Sequence, residues 1–342
     1  MRKRVIFLLI IAMASSYILT NCKKDPAVVE PVLVGVDAAK KDYIDNYKGS
    51  AVSDPLWTGS TTGCLAGSES AAVQAKVIQR VNYFRRLVGL PDNVTLNSSQ
   101  NQKCQEAALY QMANNTLTHY PNAGGQCYTS GAYDAASHSN IAYSKGYSGN
   151  EANHSVNAVT GYIEDPGANN LAVGHRAWIL YPKLSAMGTG STWRASDNYA
   201  TDCLMWGDNL NGASQSIEFV AYPPNGYIPS ELVFPRWSFA IYGADFTSAT
   251  VAMTDATGKN ITTNIIHKEA QQGAPDARIA WEPQGFNFPT GITKDTEFHV
   301  TISGVKGSAK TSYSYTTKVF WVNPLAKVGK TKNASKEVMT VK

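Results

Sequence analysis

Gly174, His175, Arg176, Ala177, Trp178, Ile179, Leu180, Tyr181 and Pro182 run together near the middle of the 342-residue chain, a histidine and an arginine leading an apolar turn. A second histidine stands upstream in Leu117, Thr118, His119, Tyr120 and Pro121, just past the point where a helix should stop. Between the two lie His138, Ser139, Asn140, Ile141 and Ala142, then the helix-like series Val156, Val159, Tyr162, Ile163 and Glu164. Chemistry in this protein is expected to gather among these residues. No contiguous ligand spacing such as HExxH marks them as a metal site, so hydrogen-bonded histidines that stabilise a cleft are the simpler reading.

Working outward, Val73, Val77, Val81, Phe84 and Val88 recur at helical spacing, with Ser68 or Ser70 to cap the start and Gly89 and Pro91 to end the run. A second helix is expected after Asn97 or Ser98; it carries Cys104, Ala107, Ala108, Gln111 and Met112 and stops at Asn114 or Asn115. Past Pro224 the texture becomes that of short strands: Trp237 to Tyr242, Thr250 to Met253, Ile261 to Ile266, Ala277 to Trp281, Phe298 to Ile302 and Tyr313 to Val322. Phe298, Val300 and Ile302 alternate with His299, Thr301 and Ser303, the pattern of a half-buried strand. These strands predict a separate immunoglobulin-like β-sandwich without the cysteine pair of an antibody domain.

The central segment, roughly Ala71 to Asn209, resembles the CAP superfamily of cysteine-rich secretory, antigen 5 and pathogenesis-related proteins in its bacterial form. Arg80, Val81 and Asn82 with Arg85, Gly89 and Leu90 are similar to the family's first helix, and Thr118, His119 and Tyr120 to its first histidine segment. Asn140, Ile141 and Ala142 resemble the end of its Gly-Glu-Asn-Ile-Ala stretch, Gly174 to Pro182 its Gly-His-Arg segment, and Met187, Gly188, Thr189 and Gly190 the strand behind it. The resemblance implies an α+β fold: an α-β-α sandwich, here followed by the all-β domain. It also implies a cleft of two histidines and two glutamates. His119 and His175 fill the histidine places, Glu164 matches the second glutamate, with Asp165 the alternative if the register slips by one, and Ser139 stands where the first glutamate would be. Loss of that carboxylate removes negative charge that would hold a divalent cation such as Zn²⁺.

The N-terminus carries Arg2, Lys3 and Arg4 ahead of an apolar run from Val5 to Ala14, the layout of an export signal. Leu19, Thr20, Asn21 and Cys22 resemble a lipobox, which makes Cys22 the expected lipidation site, and Lys23, Lys24 and Asp25 resemble a signal for surface display. The expected order is thus a signal peptide over 1–21, anchor and tether over 22–62 with one short helix near Asp37 to Tyr47, a CAP domain over 63–214, a β-sandwich over 215–325 and a tail over 326–342. Cys64, Cys104, Cys127 and Cys203 remain for two disulfides; three pairings are possible, and Cys104 with Cys127 closes the shortest loop. Removing Arg2, Lys3 and Arg4 from the 30 basic residues leaves 27 against 26 acidic ones, so the net charge of +4 falls to about +1 in the mature chain and gives a nucleic-acid partner no electrostatic support. The expectation is a lipid-anchored protein of the cell envelope, at the outer membrane or cell surface, that holds a small molecule, lipid, glycan, peptide, protein or divalent metal in the cleft. A metal-assisted or Ser139-dependent hydrolase is the alternative, although Ser139 lacks a Gly-x-Ser-x-Gly elbow.

Overall fold

Valine and aromatic side chains at helical spacing bury one face of α2 (Ala71–Leu87), where Val77, Val81 and Phe84 are fully shielded. Ser70 caps this helix by accepting from the Val73 amide at 3.2 Å, and Gly89 ends it with φ of +79°. The molecule is described from a computed structural model covering residues 35–212, 217–322 and 337–341, the last as backbone only. The expected signal peptide over 1–21, the Cys22 anchor and the start of the tether lie outside the described residues.

Ahead of α2, α1 (Gly35–Asp42) continues into a wider helical turn, Tyr43–Tyr47. This part of the expected tether is packed: Tyr43 is buried, with its ring on Tyr47 and edge-on to Phe320, because three aromatic rings gain more from mutual burial than from a solvated spacer. After α2 come β1 (Thr95–Leu96), α3 (Ser98–Asn114), α4 (Ser130–Ser137), β2 (Ser139–Lys145), α5 (Ser155–Glu164), α6 (Gly174–Ile179), β3 (Ala186–Arg194) and β4 (Tyr199–Met205). The sheet runs β1-β3-β4-β2, with β1 parallel to β3 and the remaining pairs antiparallel. Ile141, Cys203 and Met205 pack with Cys104 of α3 and with Ala135 and Ala136 of α4. Ala142 and Leu204, one residue out of phase on the same strands, join the core with α2, α5 and α6. That is the expected α-β-α sandwich.

The arginines and asparagine of the first-helix motif explain themselves by contacts. Arg80 donates to Ser50, Thr160 and the Tyr47 carbonyl, Asn82 exchanges two hydrogen bonds with the backbone of Val94, and fully buried Arg85 donates to the carbonyls of Pro91, Ile179 and Tyr181. These side chains tie the helix to the segments packed around it.

The second half folds as β5 (Val220–Tyr222), β6 (Gly226–Pro229), β7 (Trp237–Ile241), β8 (Thr250–Asp255), β9 (Asn260–Ile261), β10 (Thr263–Lys268), β11 (Ala277–Pro283), β12 (Thr296–Ser303) and β13 (Ser312–Phe320). Two sheets, β10-β11-β7-β5 and β6-β13-β12-β8-β9, enclose Trp237, Phe239, Phe298, Val300, Tyr313 and Tyr315. Phe298, Val300 and Ile302 point inward as their alternation predicts. The two halves share one core in which Tyr222 meets Phe84, and the expected 214/215 boundary itself lies outside the described residues. The expected tail over 326–342 ends in β14 (Glu337–Val341), whose backbone pairs antiparallel with β2.

Candidate functional site: the histidine cleft

His175 sits in the first turn of six-residue α6, and Asp165 holds it there. Oδ1 of Asp165 accepts from the ring Nδ1 at 2.7 Å while Oδ2 accepts from the amides of His175 at 3.0 Å and Arg176 at 3.3 Å. One carboxylate thereby satisfies two orphan amides of the helix start and fixes the imidazole. The backbone of Asp165 is left-handed, φ 55° and ψ 51°, a conformation aspartate tolerates. The Tyr162 ring stacks on His175 at 5.5 Å, and its hydroxyl donates to Asp202 at 2.8 Å.

His119 is fixed in the segment that follows α3. Gln111 exchanges two hydrogen bonds with the backbone of Thr118, and the His119 Nδ1 lies 2.5 Å from the Ala136 carbonyl. A carbonyl can only accept, so Nδ1 carries the proton. The same reasoning applies to His175 against a carboxylate. Both rings are thereby fixed in orientation through Nδ1. The two histidines are tied to one short segment: His119 to Ala136, and His175 through its carbonyl to the Asn140 side-chain amide at 3.0 Å.

The other expected residues fall differently. Asp165, and not Glu164, stands against His175; the register slips by one because helix α5 ends at Glu164 and the left-handed turn swings the next side chain inward. Glu164 is mostly buried, which raises its carboxyl above the ordinary range, and its nearest charges are Arg176 and Arg236. Ser139 is fully buried, and its hydroxyl accepts from the Cys203 thiol at 3.2 Å. Arg176 is a clamp: buried and pushed down to about 10 by burial, it donates to the carbonyls of Ile163 and Glu164 and to Ser238 of β7, and stacks over Tyr222. Trp178 stacks on Trp206 at 4.2 Å.

The zinc expectation does not fit these donors. A catalytic zinc takes three protein ligands; here two imidazoles are present, Asp165 is spent on Nδ1 and on helix amides, and Ser139 and Glu164 face elsewhere. Among the described residues no group of three or more His, Cys, Asp or Glu side chains stands together as a metal site.

Sequence reasoning missed a second polar cluster. Glu69 is buried and accepts from Ser155 at 2.9 Å, Thr189 at 3.2 Å and Ser191, while Asp202 accepts from the Ser155 amide at 3.1 Å and from Tyr162. Burial raises both carboxyls, Asp202 well above its ordinary value with Glu69 adding repulsion. Glu69 precedes the first apolar position of its helix and had no motif to flag it.

Among the described residues the cysteines form one disulfide. Cys64 and Cys127 form a disulfide, whereas Cys104 and Cys203 are buried thiols, the Cys104 thiol pushed up by burial with Cys203 beside it. The short Cys104–Cys127 loop fails because Cys104 points into the sheet from α3 and the loop beyond that helix carries Cys127 away to Cys64.

Residues 78–216 match the family model of CAP, the cysteine-rich secretory protein family. That match covers the α-β-α sandwich, and the β-sandwich follows it. No curated protein and no solved structure matches it. None of the helices among the described residues is long and apolar enough to cross a membrane.

Proposed function

We propose that this is an exported binding protein, anchored at the cell envelope through Cys22, whose CAP cleft takes an organic ligand by hydrogen bonding to His119 and His175. The observation that supports it is that each imidazole is held through Nδ1 by a fixed acceptor, the Ala136 carbonyl or the Asp165 carboxylate, so both rings are oriented before a ligand arrives. Two rings held in this way suit a ligand that presents polar hydrogen-bonding groups. The Cys64–Cys127 disulfide supports an oxidising location. The hydrolase alternative loses its nucleophile, since the Ser139 hydroxyl meets a thiol and no base.

The test is ligand-observed NMR on the purified mature protein with fatty acids, oligosaccharides and short peptides as probes. A probe class that binds the wild type and is lost in both His119→Phe and His175→Phe supports the reading. Turnover of a p-nitrophenyl ester that disappears in Ser139→Ala overturns it. For the anchor, Cys22→Ser should abolish incorporation of labelled palmitate and release the protein from membranes; unchanged retention refutes it.

A further inference from the structure

A groove of about 290 Å³ opens where the CAP domain meets the β-sandwich. Tyr181, Pro182 and Lys183, just past α6, form one wall; Phe219, Val220 and the β7 residues Ala240 and Ile241, with Tyr242, form the other; Asp276 stands between. It continues inward to a narrow recess bounded by Val173, Arg176 and Arg278. The volume lies at the small end of ligand pockets, about 300 to 1,000 Å³. The same short helix thus presents His175 to the cleft and Arg176 and Ala177 to this second concavity.

Asp276 is the unexplained group. It is 7% exposed, yet among the described residues its carboxylate accepts no hydrogen bond and joins no ion pair. Arg278 is already committed to Glu269 at 2.9 Å and to the Ala172 and Asp276 carbonyls. Burial pushes the Asp276 carboxyl up to about 6, even with Lys183 and Arg278 nearby. The Asp276 carboxylate lines the groove, so a ligand donor there takes the place of water. Across the groove, Tyr242 is 65% exposed, and the Lys183 ammonium sits 5.2 Å from its ring centroid.

An acceptor, a cationic donor and one exposed aromatic ring therefore converge on a space of one ring's size. We infer that this groove is a saccharide site, taking a single pyranose unit whose hydroxyls donate to Asp276 and accept from Lys183 while its C–H face lies on Tyr242. A free cation fits less well because Lys183 and Arg278 already bring positive charge to the rim. An apolar lipid chain leaves Asp276 unmet. The inference is independent of the ligand of the histidine cleft.

The experiment is saturation-transfer NMR on the intact mature protein with methyl glycosides of glucose, galactose, mannose and N-acetylglucosamine, and with choline as a cation probe. At least one glycoside should receive saturation mainly at its ring C–H protons. Its affinity should fall roughly ten- to a hundredfold in Asp276→Ala and in Tyr242→Ala, whose solvent-facing ring can be removed without disturbing the core, and should persist in His175→Phe. No transfer to any glycoside, transfer that survives both groove variants, or choline binding that depends on Asp276 while the glycosides stay silent, overturns the assignment.

Discussion

Replacing Asp165 separates what the cleft carboxylate does for folding from what it does for His175. Asp165→Ala removes three hydrogen bonds, from His175 Nδ1 and from the amides of His175 and Arg176, and leaves those buried donors unmet. At about 1 to 3 kcal/mol for each unsatisfied buried group, with part recovered by relaxation, the loss is about 3 kcal/mol. Alanine must also hold φ of 55°, which adds about 1 kcal/mol, for a total near 4. Asparagine is isosteric and accepts the left-handed turn, so Asp165→Asn should cost only about 1 to 2 kcal/mol. Its carbonyl can keep the two helix amides, which puts the amide NH₂ against Nδ1; the ring must then move its proton to Nε2. Urea unfolding with a constant m-value measures the first effect, and long-range ¹H–¹⁵N NMR of the imidazole nitrogens measures the second. An Asp165→Ala protein within 1 kcal/mol of the wild type, or an Asp165→Asn protein that keeps the Nδ1–H tautomer, refutes the reasoning.

His154 lies fully buried against Trp193, and burial lowers its pKa from 6.5 to about 4. Unfolded chains bind its proton first as pH falls, so stability present above about pH 6.5 should be lost towards pH 4, by roughly 3 kcal/mol; urea midpoints across that window check it, and His154→Phe should flatten this part of the slope. Gly190 lies where α3 packs on β3, and an added Cβ would stand 2.4 Å from the Gln105 nitrogen and 2.7 Å from the Cys104 carbonyl carbon. Gly190→Ala should cost about 3 kcal/mol or more, or yield no soluble protein, read by thermal unfolding against Gly124→Ala, where the nearest atom to a Cβ is at 3.5 Å. The Cys64–Cys127 disulfide closes a separation of 63 residues, so a Cys64→Ala, Cys127→Ala protein should lose about 2 to 4 kcal/mol in guanidinium unfolding.

Helices α2 and α3 were legible to within a few residues because apolar spacing and their caps, Ser70 and Asn115, are local signals. Alternation likewise revealed β12, whose inner face is a contiguous apolar row. Strands β5 and β6 were not visible: they are three and four residues long, interrupted by Pro223 and Pro224, and their pairing with β7 and β13 is decided by distant residues. The same limit governs the site. His119 and His175 could be found because each stands in a short recognisable segment. The partner of His175 could not be fixed, since the choice between Glu164 and Asp165 depends on one residue's backbone turning left-handed at a helix end. Gly188 and Gly190 read as a motif in sequence; in space they are where the backbone of α3 approaches β3 too closely for any side chain.

The carboxylates around the two histidines differ in what they contact. Glu69 and Asp202 lie behind His175, linked to it through the Tyr162 ring and hydroxyl, and burial holds both carboxyls towards their neutral forms. They lend the cleft little negative charge at a pH near their raised values. Ser139 supplies none, and the Glu164 carboxyl has Arg176 and Arg236 as its nearest charges. Asp165 alone touches a cleft histidine, and its oxygens are occupied by three donors. The Ser139 substitution and the turn at Asp165 thus act differently: the first removes a carboxylate from the motif, and the second places one on Nδ1 of His175, where it orients the ring and raises the basicity of its other nitrogen.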